Sequence, residues 1–83
     1  MRLAKFVKFR EEKFGGVLFE TKSENVYTLT PTAAAVVQQI QAGRGEDEIA
    51  PALAERFEGA GATIAHEVAA FIAELRAKGL VEE

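Results

Sequence analysis

Hydrophobic and polar positions follow a strand period in the first third of the chain and a helical period afterwards. Val7 and Phe9 alternate with Lys8 and Arg10, with Phe6 turned the other way, so residues 5–10 predict a first strand. Val17-Leu18-Phe19-Glu20-Thr21 and Val26-Tyr27-Thr28-Leu29, rich in β-favouring residues, predict a second and a third. The segment Glu11-Glu12-Lys13-Phe14-Gly15-Gly16 ends in paired glycines suited to the positive φ of a reversal, and Lys22-Ser23-Glu24-Asn25 has turn composition. Short links between consecutive strands predict an antiparallel meander with an unpaired edge strand.

From Thr30 the period changes. Thr30 is a helix cap and Pro31 loses nothing at the first helical position, so a helix is expected from Pro31 to about Ala42, with Ala33, Val36, Val37 and Ile40 on one face and Gly43 as its stop. The acids Glu46-Asp47-Glu48 suit the positive end of a second helix, whose face is Ile49, Leu53 and Phe57. Pro51 predicts that this helix is kinked or starts later than the acids suggest. Glu58-Gly59-Ala60-Gly61 reads as a loop. Thr63 would cap the longest helix, striped by Ile64, Val68, Phe71, Ile72 and Leu75, with Gly79 its stop and Leu80 folding back on Leu75.

The expected fold class is therefore α+β: a three-stranded antiparallel sheet followed by three helices. One domain is expected over residues 1–83, with strands over about 5–29 and helices over about 31–79. The rings of Phe6, Phe9, Phe14, Phe19 and Tyr27 are assigned to its core. The absence of cysteine suits a reducing cytoplasm, and no stretch reaches the roughly 18–20 apolar residues of a membrane span. A soluble cytoplasmic protein is expected.

Candidate chemistry is sparse. His66 is the only histidine and has no cysteine to join it, which predicts no metal site. Glu11 and Glu12 are neighbours on a strand and point to opposite faces, so they do not make an acid and base pair. The glycines before Thr63 lack the preceding strand of a dinucleotide fingerprint. No enzyme activity and no cofactor are expected. A net charge of −3 argues against a phosphate-binding surface, although Lys5, Lys8, Arg10, Lys13 and Lys22 make the strand half basic. No nucleic acid and no membrane partner are expected.

The string Phe9-Arg10-Glu11-Glu12-Lys13-Phe14-Gly15-Gly16-Val17-Leu18-Phe19-Glu20, then Val26-Tyr27-Thr28-Leu29-Thr30, Glu48-Ile49 with Leu53, and Val68 to Leu75 with Lys78-Gly79-Leu80, resembles the PqqD family over nearly the whole chain. That family supplies RiPP recognition elements, small winged helix-turn-helix modules that hold the leader of a ribosomally made precursor peptide for a modifying enzyme, so the resemblance implies a winged helix-turn-helix-like fold. The Phe-Gly-Gly variant is similar to members found beside radical SAM enzymes. The chain departs from the family pattern at Thr30, where Asn is frequent, at Pro51, and at His66-Glu67, where an acidic pair is common.

The resemblance implies a non-catalytic adaptor, with a precursor leader peptide and a radical SAM maturase as partners, acting as a monomer or weak homodimer. It implies that the leader adds as a strand along Val26, Tyr27, Thr28 and Leu29 and packs on the third helix. Ala65, Val68 and Ile72 are expected to face that groove, and Phe71 and Leu75 to lie in the core. Two alternatives use the same elements: a winged-helix DNA-binding regulator, and a self-associating structural module. The regulator lacks a basic recognition helix, since Ile64 to Leu75 carries no Lys or Arg.

Overall fold

The computed structural model describes residues 1–56 and 61–82. In chain order it contains β1 (Arg2–Leu3), β2 (Val7–Glu12), β3 (Gly15–Glu20), β4 (Asn25–Leu29), α1 (Pro31–Gln41), α2 (Glu46–Arg56), α3 (Gly61–Ala77) and β5 (Val81–Glu82). Strands β2, β3 and β4 form the expected antiparallel meander in that spatial order. The fold class is α+β. Phe57 and the loop at residues 58–60 lie outside the described residues.

Alternation sorts the sheet into two faces. Val7, Phe9, Leu18, Tyr27 and Leu29 share the face turned to the helices, whereas Lys8, Arg10, Val17, Phe19 and Val26 share the other. The core between sheet and helices is aliphatic: Leu18, Val36, Val37, Ile40, Ile49, Leu53, Ile72 and Leu80 are its most deeply buried members. Each fully buried side chain of this kind contributes about 1.5–3 kcal/mol of transfer free energy. The aromatic rings do not fill the core as expected. Phe14 and Phe19 remain 53% and 38% exposed, and Phe6, Phe9 and Tyr27 are half-buried around the cluster.

The helix ends follow their local chemistry. The Ala33 N–H donates to Thr30 Oγ1 at 3.2 Å, with Pro31 at the first helical position. At the far end of α1 the Gly43 N–H donates to Ile40 O (3.0 Å) and Arg44 N–H to Gln39 O (3.2 Å), with Gly43 at φ 86°. The same paired closure ends α3, where Gly79 N–H meets Arg76 O (3.1 Å) and Leu80 N–H meets Leu75 O (2.9 Å). Helix α2 starts at its acids after all. Glu48 Oε1 accepts from the Gly45 N–H at 3.0 Å, half of a capping box, and the helix continues through the exposed Pro51.

Three features depart from the sequence expectation. The reversal between β2 and β3 is made at Lys13-Phe14, and the paired glycines instead begin β3. A Cβ on Gly15 would lie 2.2 Å from Leu29 O, and one on Gly16 would lie 2.6 Å from the Phe9 ring, so both are close-approach positions. Helix α3 begins at Gly61, ahead of Thr63. Finally, the two chain ends meet in a separate two-stranded sheet: Arg2 pairs with Glu82 and Leu3 with Val81, reinforced by Arg2 Nε to Glu82 Oε1 at 3.3 Å. The Ala4 N–H donates to Leu80 O (2.9 Å) and fastens this clasp to the end of α3.

Candidate functional site

The three-stranded sheet has two open edges, β2 and β4. They differ in what borders them. Beside β2, between its hairpin and α1, lies a depression of about 250 Å3 that mixes the charged Glu11, Glu12 and Lys13 with Pro31, Ala34 and Ala35. Beside β4 lies a groove with an apolar floor. Its larger chamber, about 490 Å3, runs from Thr28, Leu29 and Thr30 across to Glu67, Phe71 and Glu74 of α3. A smaller chamber of about 140 Å3 continues it past Tyr27 to Leu75 and Lys78, sharing Thr28, Leu29, Phe71 and Glu74. Passing from Tyr27 to Thr30 therefore means passing from Lys78 to Glu67: β4 and α3 run side by side in opposite senses.

The register determines which backbone groups of β4 are free. The Thr21 N–H donates to Phe6 O at 2.8 Å, making these residues a hydrogen-bonded pair in the β2–β3 ladder. Alternation then turns the N–H groups of Val17 and Phe19 toward β2 and those of Gly16, Leu18 and Glu20 toward β4. On β4 the partners Asn25, Tyr27 and Leu29 face inward, so Val26 and Thr28 present N–H and C=O to the open edge. The closeness of Leu29 O to the Gly15 backbone agrees with this parity.

The wall supplied by α3 differs from the expected one. Val68 and Ile72 are 2% and 0% exposed and belong to the core, behind the groove. Ala65 is exposed, but it lies near the helical azimuth of Arg76, which reaches Glu46 of α2 at 2.8 Å, so its flank is the one turned away from β4. The expectation that these three residues face the groove is corrected to Glu67, Ala70, Phe71 and Glu74. Phe71, expected in the core, is half-buried with its ring on the groove, whereas Leu75 is buried as expected. Val68, Phe71, Ile72 and Leu75 form one broad apolar stripe, within which adjacent residues are separated by about 100° of rotation. Periodicity marked the stripe, but the rotation of α3 decides which side of it faces β4.

Polar groups around the groove are few. Lys78 Nζ lies 3.4 Å from Glu74 Oε1 and 5.9 Å from the Tyr27 ring centroid, closing the smaller chamber with a cation held from two sides. Among the described residues no cluster of His, Cys, Asp and Glu is arranged to hold a metal ion, and no helix is long and apolar enough to cross a membrane.

An edge strand with free backbone groups beside an apolar groove is the arrangement on which strand addition of an extended peptide depends. Residues 15–81 match the family of coenzyme PQQ synthesis protein D (PqqD), and the chain belongs to that family. As a member it is a binding domain and not an enzyme. The fold is shared with a lasso peptide synthetase B1 solved in complex with the leader peptide, at 24% identity and a TM-score of 0.81, covering 99% of this chain and 96% of that one. It is also shared with TbiB1 in complex with the TbiA(beta) leader peptide, at 18% identity and a TM-score of 0.85, covering 99% and 95% of the two chains. No curated protein matched the chain.

Proposed function

We propose that this protein is a non-catalytic adaptor that binds the leader of a ribosomally made precursor peptide and presents it to a modifying enzyme. The leader adds as a fourth strand outside β4, pairing with the free N–H and C=O groups of Val26 and Thr28, and buries alternate side chains against Leu29 and Phe71. The observation that carries this reading is the coincidence of the open β4 edge with the apolar groove. Family membership and the leader complexes of the two structural neighbours support it.

In this reading the domain comprises residues 1–83 and works in the cytoplasm as a monomer or weak homodimer. The enzyme it serves is a radical SAM maturase, a proposal that rests on the resemblance carried by the Phe14-Gly15-Gly16 segment. The DNA-binding alternative draws no support from α3, whose groove side carries Glu67 and Glu74, while Arg76 is engaged by Glu46.

Titration of isotope-labelled protein with candidate leader peptides tests the docking site. The expected result is amide shifts at Val26 and Thr28 and along the Glu67–Glu74 face of α3. Shifts confined to β2, with β4 and α3 silent, would refute it. Co-purification of a radical SAM protein with adaptor and precursor, but not with adaptor variants that bind no precursor, tests the presentation step.

A further inference from the structure

The proposed docking of a peptide strand on β4 leaves open what the groove selects. Its formal charges are unevenly placed. The larger chamber is bounded by two carboxylates, Glu67 and Glu74, and by no Lys or Arg. Glu74 is held by Lys78 at 3.4 Å. Glu67 has no hydrogen bond or ion pair among the described residues. The nearby start of α1 offers little to an anion, because Pro31 has no N–H and Thr30 Oγ1 takes the Ala33 N–H. At the other end Lys78 is occupied by Glu74 and by the Tyr27 ring.

We propose that the groove reads charge as well as shape, selecting a peptide strand that carries a Lys or Arg where it passes Glu67, next to an apolar residue seated on Phe71. The inference rests on the β4 docking proposed above. Laying a strand over the groove removes water from Glu67, and a desolvated carboxylate is costly unless a cation replaces that water. An acidic residue at the same place adds repulsion to the cost, so the position works mainly by rejecting wrong sequences. Geometry also sets the spacing. Glu67 and Phe71 are one turn apart, about 6 Å along α3, and residues on one face of a strand repeat about every 6.6–6.8 Å. Since β4 and α3 run alongside one another, the cation and the apolar anchor are two residues apart, with the cation toward the Thr30 end. For a peptide of given sequence, that placement fixes which way it runs along β4.

The test pans a pool of short random peptides on the wild-type protein and on Glu67→Lys, then titrates the enriched sequences into both while following the Val26 and Thr28 amides. Wild type should enrich Lys or Arg two residues from an apolar anchor, and Glu67→Lys should enrich Asp or Glu at that spacing. For one wild-type-selected peptide, Glu67→Gln should weaken binding about two- to fivefold at low salt, and exchanging the charges on both partners should restore it. Because Glu67 is exposed, an unchanged melting curve is expected to accompany these changes. Peptides that dock at Val26 and Thr28 with no charge preference, or with the same preference on both proteins, would overturn this inference and leave the docking reading intact. Enriched peptides that leave both amides unmoved would overturn the two together.

Discussion

Two glycines with positive φ should respond very differently to alanine. At Gly15 the φ is 142° and a Cβ would collide with Leu29 O at 2.2 Å, where β3 passes the start of α1. Neither backbone can yield easily, so Gly15→Ala should cost about 2–4 kcal/mol. Gly43 has a φ of 86° and open space around it, so Gly43→Ala should cost only the left-handed conformation, about 1 kcal/mol. Urea denaturation with matched slopes separates the two; equal midpoints would show that the close approach at Gly15 carries no energy. A second pair divides core from groove on α3. Ile72→Ala should lose about 2–5 kcal/mol because it empties a filled site. Phe71→Ala, with its ring half exposed, should lose about 1–2 kcal/mol and yet weaken peptide binding about tenfold or more. If Phe71→Ala proved as destabilising as Ile72→Ala, with unchanged peptide affinity, the assignment of the groove wall would fail.

At the level of elements, β4 has two parities with opposite consequences. Val26 and Thr28 direct their N–H groups to the open edge, so proline at either should leave the meander folded while removing a docking bond. Tyr27 directs its own toward Leu18, and Tyr27→Pro breaks the ladder at a cost of about 3 kcal/mol or more, a large share of the total in so small a domain. Circular dichroism and peptide titration of the three variants check this: folded and non-binding for Val26→Pro and Thr28→Pro, unfolded for Tyr27→Pro. The reverse order would mean that the β4 register is shifted by one. The turn into β4 helps to hold that register, since Glu20 accepts from both the Ser23 N–H and the Ser23 hydroxyl, the latter at 2.9 Å. Helix α3 is in turn tied to α2 through Arg76 and Glu46, and the Leu80 that follows it is tied to Ala4 after β1.

Across the whole molecule, charge is unevenly spread: Lys8 and Arg10 lie on β2 and Lys5, Lys13 and Lys22 in the turns beside the strands, while α3 meets the larger chamber of the groove with Glu67 and Glu74. The net charge is −3 and the groove side of α3 carries carboxylates, so little is offered to release counterions from a polyanion. Affinity for random duplex DNA should therefore be undetectable by gel shift at roughly 0.15 M salt, where non-specific binders already sit at the weak end of their range. A salt-dependent shift with a defined footprint would instead favour the regulator. The β1–β5 clasp acts on the same scale. Its ion pair is exposed and is worth at most about 1 kcal/mol, so its contribution comes from holding Leu80, 1% exposed, over the end of the core.

The sequence by itself determined the features whose causes are local. Thr30 and Pro31 start α1, Gly43 and Gly79 end α1 and α3, Glu48 caps α2, and alternation marks β2, β3 and β4; each depends on residues within a few positions of one another. The order of these elements, with the strings that carry the family resemblance, was legible for the same reason. Tertiary structure decided what depends on residues far apart. The clasp joins Arg2 to Glu82, and strands of two residues are too short to show any period. Gly15 and Gly16 look like turn residues until Leu29 and Phe9 are brought against them. The groove wall is the clearest case. Val68, Phe71 and Ile72 all fit one apolar stripe, and a rotation of about 100° per residue separates a buried Ile72 from a groove-facing Phe71. That rotation is set by the packing of α3 against α1, α2 and β5 together, which no local pattern contains.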